Sequence, residues 1–147
     1  MKIASRFMRP AAAGLAYAAV VFGVGFVLGT VRVIIVAPRF GPTAAVLLET
    51  PLILGASWWL ARLSIARFQV SRAVSARLVM GLVAFAFLML AEVTLARLFF
   101  GRTVAESLSE LATVPGAIGL AAQVAFACFP LIQGAGTREG RGPGPDG

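Results

Sequence analysis

Residues 40–61 read FGPTAAVLLETPLILGASWWLA, and residues 78–96 read LVMGLVAFAFLMLAEVTLA. In each, one acid, Glu49 or Glu92, is the only charge in a run of the length a helix needs to cross a bilayer, about 20 residues at 1.5 Å each. A carboxylate at membrane depth is costly and calls for a partner, so these two residues decide both the fold and where to look for a site.

The rest of the chain has the same character. It is 59% hydrophobic and only 13% charged, with a mean hydropathy of +0.91, whereas a soluble domain carries about a quarter charged residues. Its 147 residues hold four spans with short connections and leave no room for a soluble domain beside them. The predicted fold is an all-α membrane protein, four transmembrane helices in one bundle over residues 1–133. The spans fall at about 11–37, 43–61, 78–100 and 114–133, and the Gly- and Pro-rich segment 134–147 reads as a disordered tail. The first segment has 22 uncharged residues from Pro10 to Val31, more than the about 7–15 of a signal-peptide core, so it reads as a retained helix.

Punctuation agrees. Pro38, Arg39, Gly41 and Pro42 predict a short turn after the first span. Trp58 and Trp59 before Arg62 look like an aromatic belt followed by a cationic anchor. Arg62, Arg67, Arg72 and Arg77 recur through the predicted central connector with no acid among them, as contacts for anionic head groups. Thr103 with Glu106, and Ser107 with Glu110, match the capping box and predict a short interfacial helix.

The net charge of +7 does not point to nucleic acid, because the basic residues flank apolar segments. Lys2, Arg6, Arg9, the four connector arginines, Arg138 and Arg141 fall on one side; Arg32, Arg39, Arg97 and Arg102 fall at or near the other. The richer side is expected to be cytoplasmic, with both termini inside a bacterial inner membrane. The one cysteine, Cys128, rules out an internal disulfide, and a chain without histidine lacks the usual zinc and haem ligands, so no metal site and no cofactor are expected.

Counting inward at 1.5 Å per residue puts Arg32, Glu49, Glu92 and Arg97 about 5–12 Å below the outer ends of their spans. Two cations and two anions at one level suggest an intramembrane charge cluster in which Arg32 bridges Glu49 and Glu92. Pro51 lacks an N–H and crowds the carbonyl of Leu47, which predicts a helix kink beside Glu49. Gly25 and Gly29 lie on a stripe with Gly14, Ala18, Val21 and Arg32, a candidate face for close helix packing. On the third span, Gly81, Phe85, Leu88 and Phe99 share a face with Glu92.

These features favour a non-enzymatic membrane protein in which the Arg/Glu cluster is structural. One alternative makes Glu49 or Glu92 the proton carrier of a small transporter or transporter subunit. Another makes the chain an accessory protein that binds anionic lipid, a membrane-protein partner or a second copy of itself. Catalysis is disfavoured: Ser57, Thr94 and Cys128 have no histidine or lysine base within the membrane, and the only aspartate is Asp146 in the tail.

The run GTVRVIIVAPRFGPTAAVLLETPLILGASWWLAR, from Gly29 to Arg62, resembles a group of small uncharacterised four-span proteins of bacterial inner membranes, in which an Arg, a Pro-Arg-x-Gly turn and a Glu-x-Pro element recur. AEVTLARLFFGR, from Ala91 to Arg102, is similar to the third helix of that group. The resemblance implies a bacterial integral membrane protein and brings no activity, ligand or catalytic residue.

Overall fold

The computed structural model describes residues 2–135, with side chains from residue 7 onward. The tail expected to be disordered over 136–147, with Arg138 and Arg141, and the side chains of Lys2 and Arg6 therefore lie outside the described residues. The described chain is helical with no strand, and four of its helices are long and apolar enough to cross a membrane.

The first span is α1 (Lys2–Val31), a π-helical turn (Arg32–Val36) and α2 (Ala37–Phe40), one after another without a break. The widened turn has a local cause. Pro38 offers no N–H, and its ring crowds the carbonyl one turn back, so the ladder loosens and Ala37 N–H reaches back five residues to Arg32 O. The span therefore runs to Phe40, beyond the predicted end, and the reversal is made by Gly41 alone, at φ 83°. Only glycine adopts that backbone readily.

Pro42 opens α3 (Pro42–Phe68), a position where its missing N–H costs nothing. This helix runs continuously through Pro51, and the π-helical turn of the first hairpin lies on the facing span, at Arg32–Val36. The helix α4 (Val74–Phe100) begins after five residues, Gln69–Ala73, so the central connector is far shorter than predicted, and Arg62 and Arg67 sit on α3. Gly101, at φ 61°, caps α4. The short helix α5 (Val104–Glu110) and the last span α6 (Val114–Ala135) follow, so the first two residues of the predicted tail are helical.

Packing sets the order around the bundle. Both α1 and α6 pack on α3 and α4, which places α1 diagonally opposite α6 and α3 diagonally opposite α4. Consecutive helices α3 and α4 are thus not neighbours. The centre is filled by Tyr17, Ser57, Met80, Phe126 and Pro130, all almost fully buried. Large apolar residues such as Val27, Leu52, Leu82 and Leu90 are more than half exposed, the inverse of a soluble protein and the surface that lipid chains wet.

Two glycines set the helix spacing. A Cβ at Gly14 would lie 2.5 Å from Met80 O, and one at Gly81 would meet Ala127 O still more closely. Gly25 and Gly29 do not play this part. A Cβ at Gly25 would make an ordinary 3.7 Å contact with Ile53, and one at Gly29 would come no nearer than 4.0 Å to Arg32. The close approach predicted there belongs to Gly14, on the same stripe, because α1 and α4 come together at that level. Ala18 and Val21 of the stripe are buried as well.

Candidate functional site

Arg32 occupies the first position of the π-helical turn and Glu49 lies two turns into α3. By rise per residue, Arg32 is about 12 Å below Phe40 and Glu49 about 10 Å below Pro42, so the Gly41 reversal brings them to one level. The guanidinium Nε is 2.9 Å from Glu49 Oε2, with the carboxylate side chain 17% exposed and the arginine side chain 35%. The N–H is not aligned on that oxygen, so the contact is one of opposite charge rather than a directed hydrogen bond. Thr50, beside Glu49, turns its hydroxyl back to Val46 O at 2.8 Å and takes no part.

Glu92 has a different partner. It lies on α4 about 12 Å below Phe100, at the level of Gln123 on α6, and Gln123 Nε2 donates to both carboxylate oxygens, at 2.6 and 2.7 Å. Gln123 Oε1 is buried with no hydrogen-bond partner.

The predicted cluster therefore separates into two polar pairs, one in each hairpin of the bundle. Arg32 does not bridge the glutamates: its ion pair among the described residues is with Glu49 alone. The reason is which neighbours each glutamate faces. Glu49 faces α1, whereas Glu92 turns to α6, diagonally across the bundle from α1. Arg97 joins neither pair. It is exposed and forms no ion pair among the described residues, as expected of a long side chain three residues from the end of its helix, which can extend to the interface.

A third polar group is central and involves no charge. Tyr17 donates its hydroxyl to Phe126 O at 3.1 Å, and the two rings stack with centroids 4.4 Å apart. In a regular helix that carbonyl would accept from the residue four positions on, which is Pro130 and has no N–H. The tyrosine supplies the missing donor across the bundle diagonal. Ser57 lies beside the same hydroxyl, bringing α3 to the point where α1 and α6 meet.

At the end of the bundle that carries the α3–α4 turn, Gln133 Nε2 donates to Trp58 O at 2.8 Å and the Trp58 ring meets Phe129 edge-on at 5.2 Å. Arg62, Arg67 and Arg72 are exposed there. Arg77, expected among them as a head-group contact, is not: it is 6% exposed, packs against Gly134, and donates from Nε to Ser71 O at 3.0 Å. Its position one turn inside α4 aims it under the Gln69–Ala73 turn, so it ties that turn together.

At the opposite end Thr103 and Glu106 form a full capping box. Glu106 N–H donates to Thr103 Oγ1 at 3.2 Å, and Thr103 N–H donates to Glu106 Oε2 at 2.7 Å. These bonds from Thr103 hold the Glu106 carboxyl below the usual carboxylate range. The second predicted box does not form. Glu110 pairs with Arg102, and the Ser107 hydroxyl turns back to Thr103 O.

Sequence reasoning passed over Tyr17 and Gln123. The available signals were the lone tyrosine of the chain in mid-span, a proline that strands a carbonyl in the fourth span, and an amide in that otherwise charge-free segment. Among the described residues no cluster of side chains could hold a metal ion. Compared with known proteins, the chain matches no family model, no curated protein and no solved structure.

Proposed function

We propose that this chain is a non-enzymatic, multi-pass protein of a bacterial inner membrane, with both termini cytoplasmic and an Arg32–Glu49 pair whose role is structural. The observation that carries the reading is the 2.9 Å contact between Arg32 Nε and Glu49 Oε2 at matched depth. Each charge alone within the membrane costs about 2.5–3.5 kcal/mol at the bilayer centre on insertion scales, and meeting across α1 and α3 offsets much of that. The pair thereby fixes the register of the first hairpin. The excess of basic residues toward the α3–α4 turn supports cytoplasmic termini, and the exposed Arg62, Arg67 and Arg72 are suited to anionic head groups.

The test is a charge exchange. Arg32→Glu and Glu49→Arg are expected each to lower the amount of folded protein in the membrane, and the double variant to recover most of it. If Glu49→Gln matches the parent in membrane abundance and thermal stability, the structural reading fails. Reporter fusions at each terminus check the orientation separately.

A second reading, a proton-coupled transporter, is favoured by one observation. Glu92 has an amide and no cation for its immediate partner.

A further inference from the structure

We propose that Glu92 is held as the neutral carboxylic acid, hydrogen-bonded in both directions to the Gln123 amide, and that the two residues form a proton-binding site between α4 and α6. Hydrogen-bond stoichiometry leads there. An ionised Glu92 offers only acceptors, so the pair would hold three oxygens and two donors, both on the Gln123 NH2 and both directed at the carboxylate. That count leaves Gln123 Oε1 buried without a donor, as it is found. Placing a proton on Glu92 supplies the missing donor. After a rotation of the amide within the same contact, the acid O–H donates to Gln123 Oε1 while one Nε2–H donates to the other carboxyl oxygen, so that Oε1 gains its donor. The step transfers one proton from hydronium in the aqueous phase: an O–H bond of hydronium breaks, one forms on Glu92, and water is released.

The surroundings lack the cation that an ionised Glu92 needs. On α6 no residue from Val114 to Ala135 is charged. From the first span Arg32 is the cation whose field reaches Glu92, and its Nε is engaged by Glu49. On α3, across the diagonal, Glu49 is that same partner. On α4 itself Arg97 is five residues on and exposed. Over the outer end, Glu106 is held by Thr103 and Glu110 by Arg102. The two intramembrane glutamates thus differ in what faces them: Glu49 meets a cation and Glu92 an amide.

The inference rests on the four helices lying in a bilayer, so the experiment separates the two. The full chain is reconstituted into vesicles of phosphatidylethanolamine and phosphatidylglycerol and floated on a density gradient. A chain that does not float overturns the membrane reading. For the floating protein, infrared spectra at neutral pH are expected to show the C=O stretch of a protonated carboxyl, shifted in D2O, kept in Glu49→Gln and lost in Glu92→Gln. Gln123→Leu, which removes the hydrogen-bond partner, is expected to move the frequency of that band. Absence of a protonated-carboxyl band from the unaltered protein overturns the proposal whether or not any variant folds, because a neutral Glu92 must contribute one. A band that survives Glu92→Gln overturns it as well.

Discussion

The hydroxyl of Tyr17 fills the hydrogen-bonding vacancy that Pro130 leaves on the carbonyl of Phe126, joining α1 to α6 across the diagonal of the bundle. A proline in one span and a tyrosine in another are thus a single device. Tyr17→Phe keeps the ring stack and removes only the donor. It is expected to destabilise the bundle by about 1–3 kcal/mol, the cost of a buried carbonyl left unpaired. In a Pro130→Ala background the helix supplies its own N–H, and the same substitution is expected to cost less. Thermal unfolding in detergent of the four proteins in this cycle measures the difference; equal losses in both backgrounds would show that Tyr17 acts through something else.

Helix spacing at Gly81 allows no side chain, since an added methyl meets the backbone carbonyl of Ala127. Gly81→Ala is expected to destabilise by about 1–3 kcal/mol or more through separation of α4 from α6. Gly25→Ala, which meets only the end of Ile53 at 3.7 Å, is expected to change little. The same unfolding assay ranks the two. A neutral Gly81→Ala would mean that the helices slide apart at no cost.

The cap of α5 is expected to respond to acid. Thr103 holds the Glu106 carboxyl below its usual range, so Glu106 is ionised at neutral pH and its contribution is present there. That contribution is lost as pH falls through the depressed folded-state value, below the ordinary glutamate range. The Thr103 amide shift, followed by NMR, is expected to titrate there, and Glu106→Gln, which keeps an acceptor, to abolish the step while leaving the helix start intact. A step at or above the ordinary glutamate range would contradict the capping geometry.

Arg77 is expected to behave as a structural residue of the α3–α4 turn. Arg77→Ala removes the Nε donation to Ser71 O and the packing against Gly134. Limited proteolysis within Gln69–Ala73 is expected to speed up several-fold, and Arg77→Lys, which has no donor at the Nε position, to restore little. The exposed Arg72, changed to Ala, is expected to leave the cleavage rate near that of the parent protein. Equal protection in all three variants would remove Arg77 from that role.

These residues also mark how far the sequence could be read. Span number and approximate extent were legible because apolar run length is a one-dimensional property, and Glu49 and Glu92 stand out as charges within such runs. Depth was legible too, since rise per residue is constant. Adjacency was not. Nothing in the order of the segments says that α3 and α4, joined by five residues, lie on a diagonal, which sets Glu92 apart from Glu49, or that Glu92 turns to Gln123 on α6 rather than to the first span, which also packs on α4. Tyr17 and Gln123 escaped notice because a search for charges does not register neutral donors. The Gly25 and Gly29 spacing misled because a motif of small residues shows that helices could approach, while the crossing point at Gly14 decides where they do.

Gly41 carries a consequence for how the protein is made. Arg32 and Glu49 lie on either side of this one-residue reversal, within a hairpin complete by Phe68, before any of α4 has been synthesised. Their charges can meet as soon as that hairpin closes. The insertion machinery would then release to lipid a unit whose buried charges already cancel, rather than two helices that must each wait for a partner. A residue with a side chain at position 41 would therefore act first on the yield of inserted protein, during biogenesis, and only afterwards on the stability of molecules that had folded.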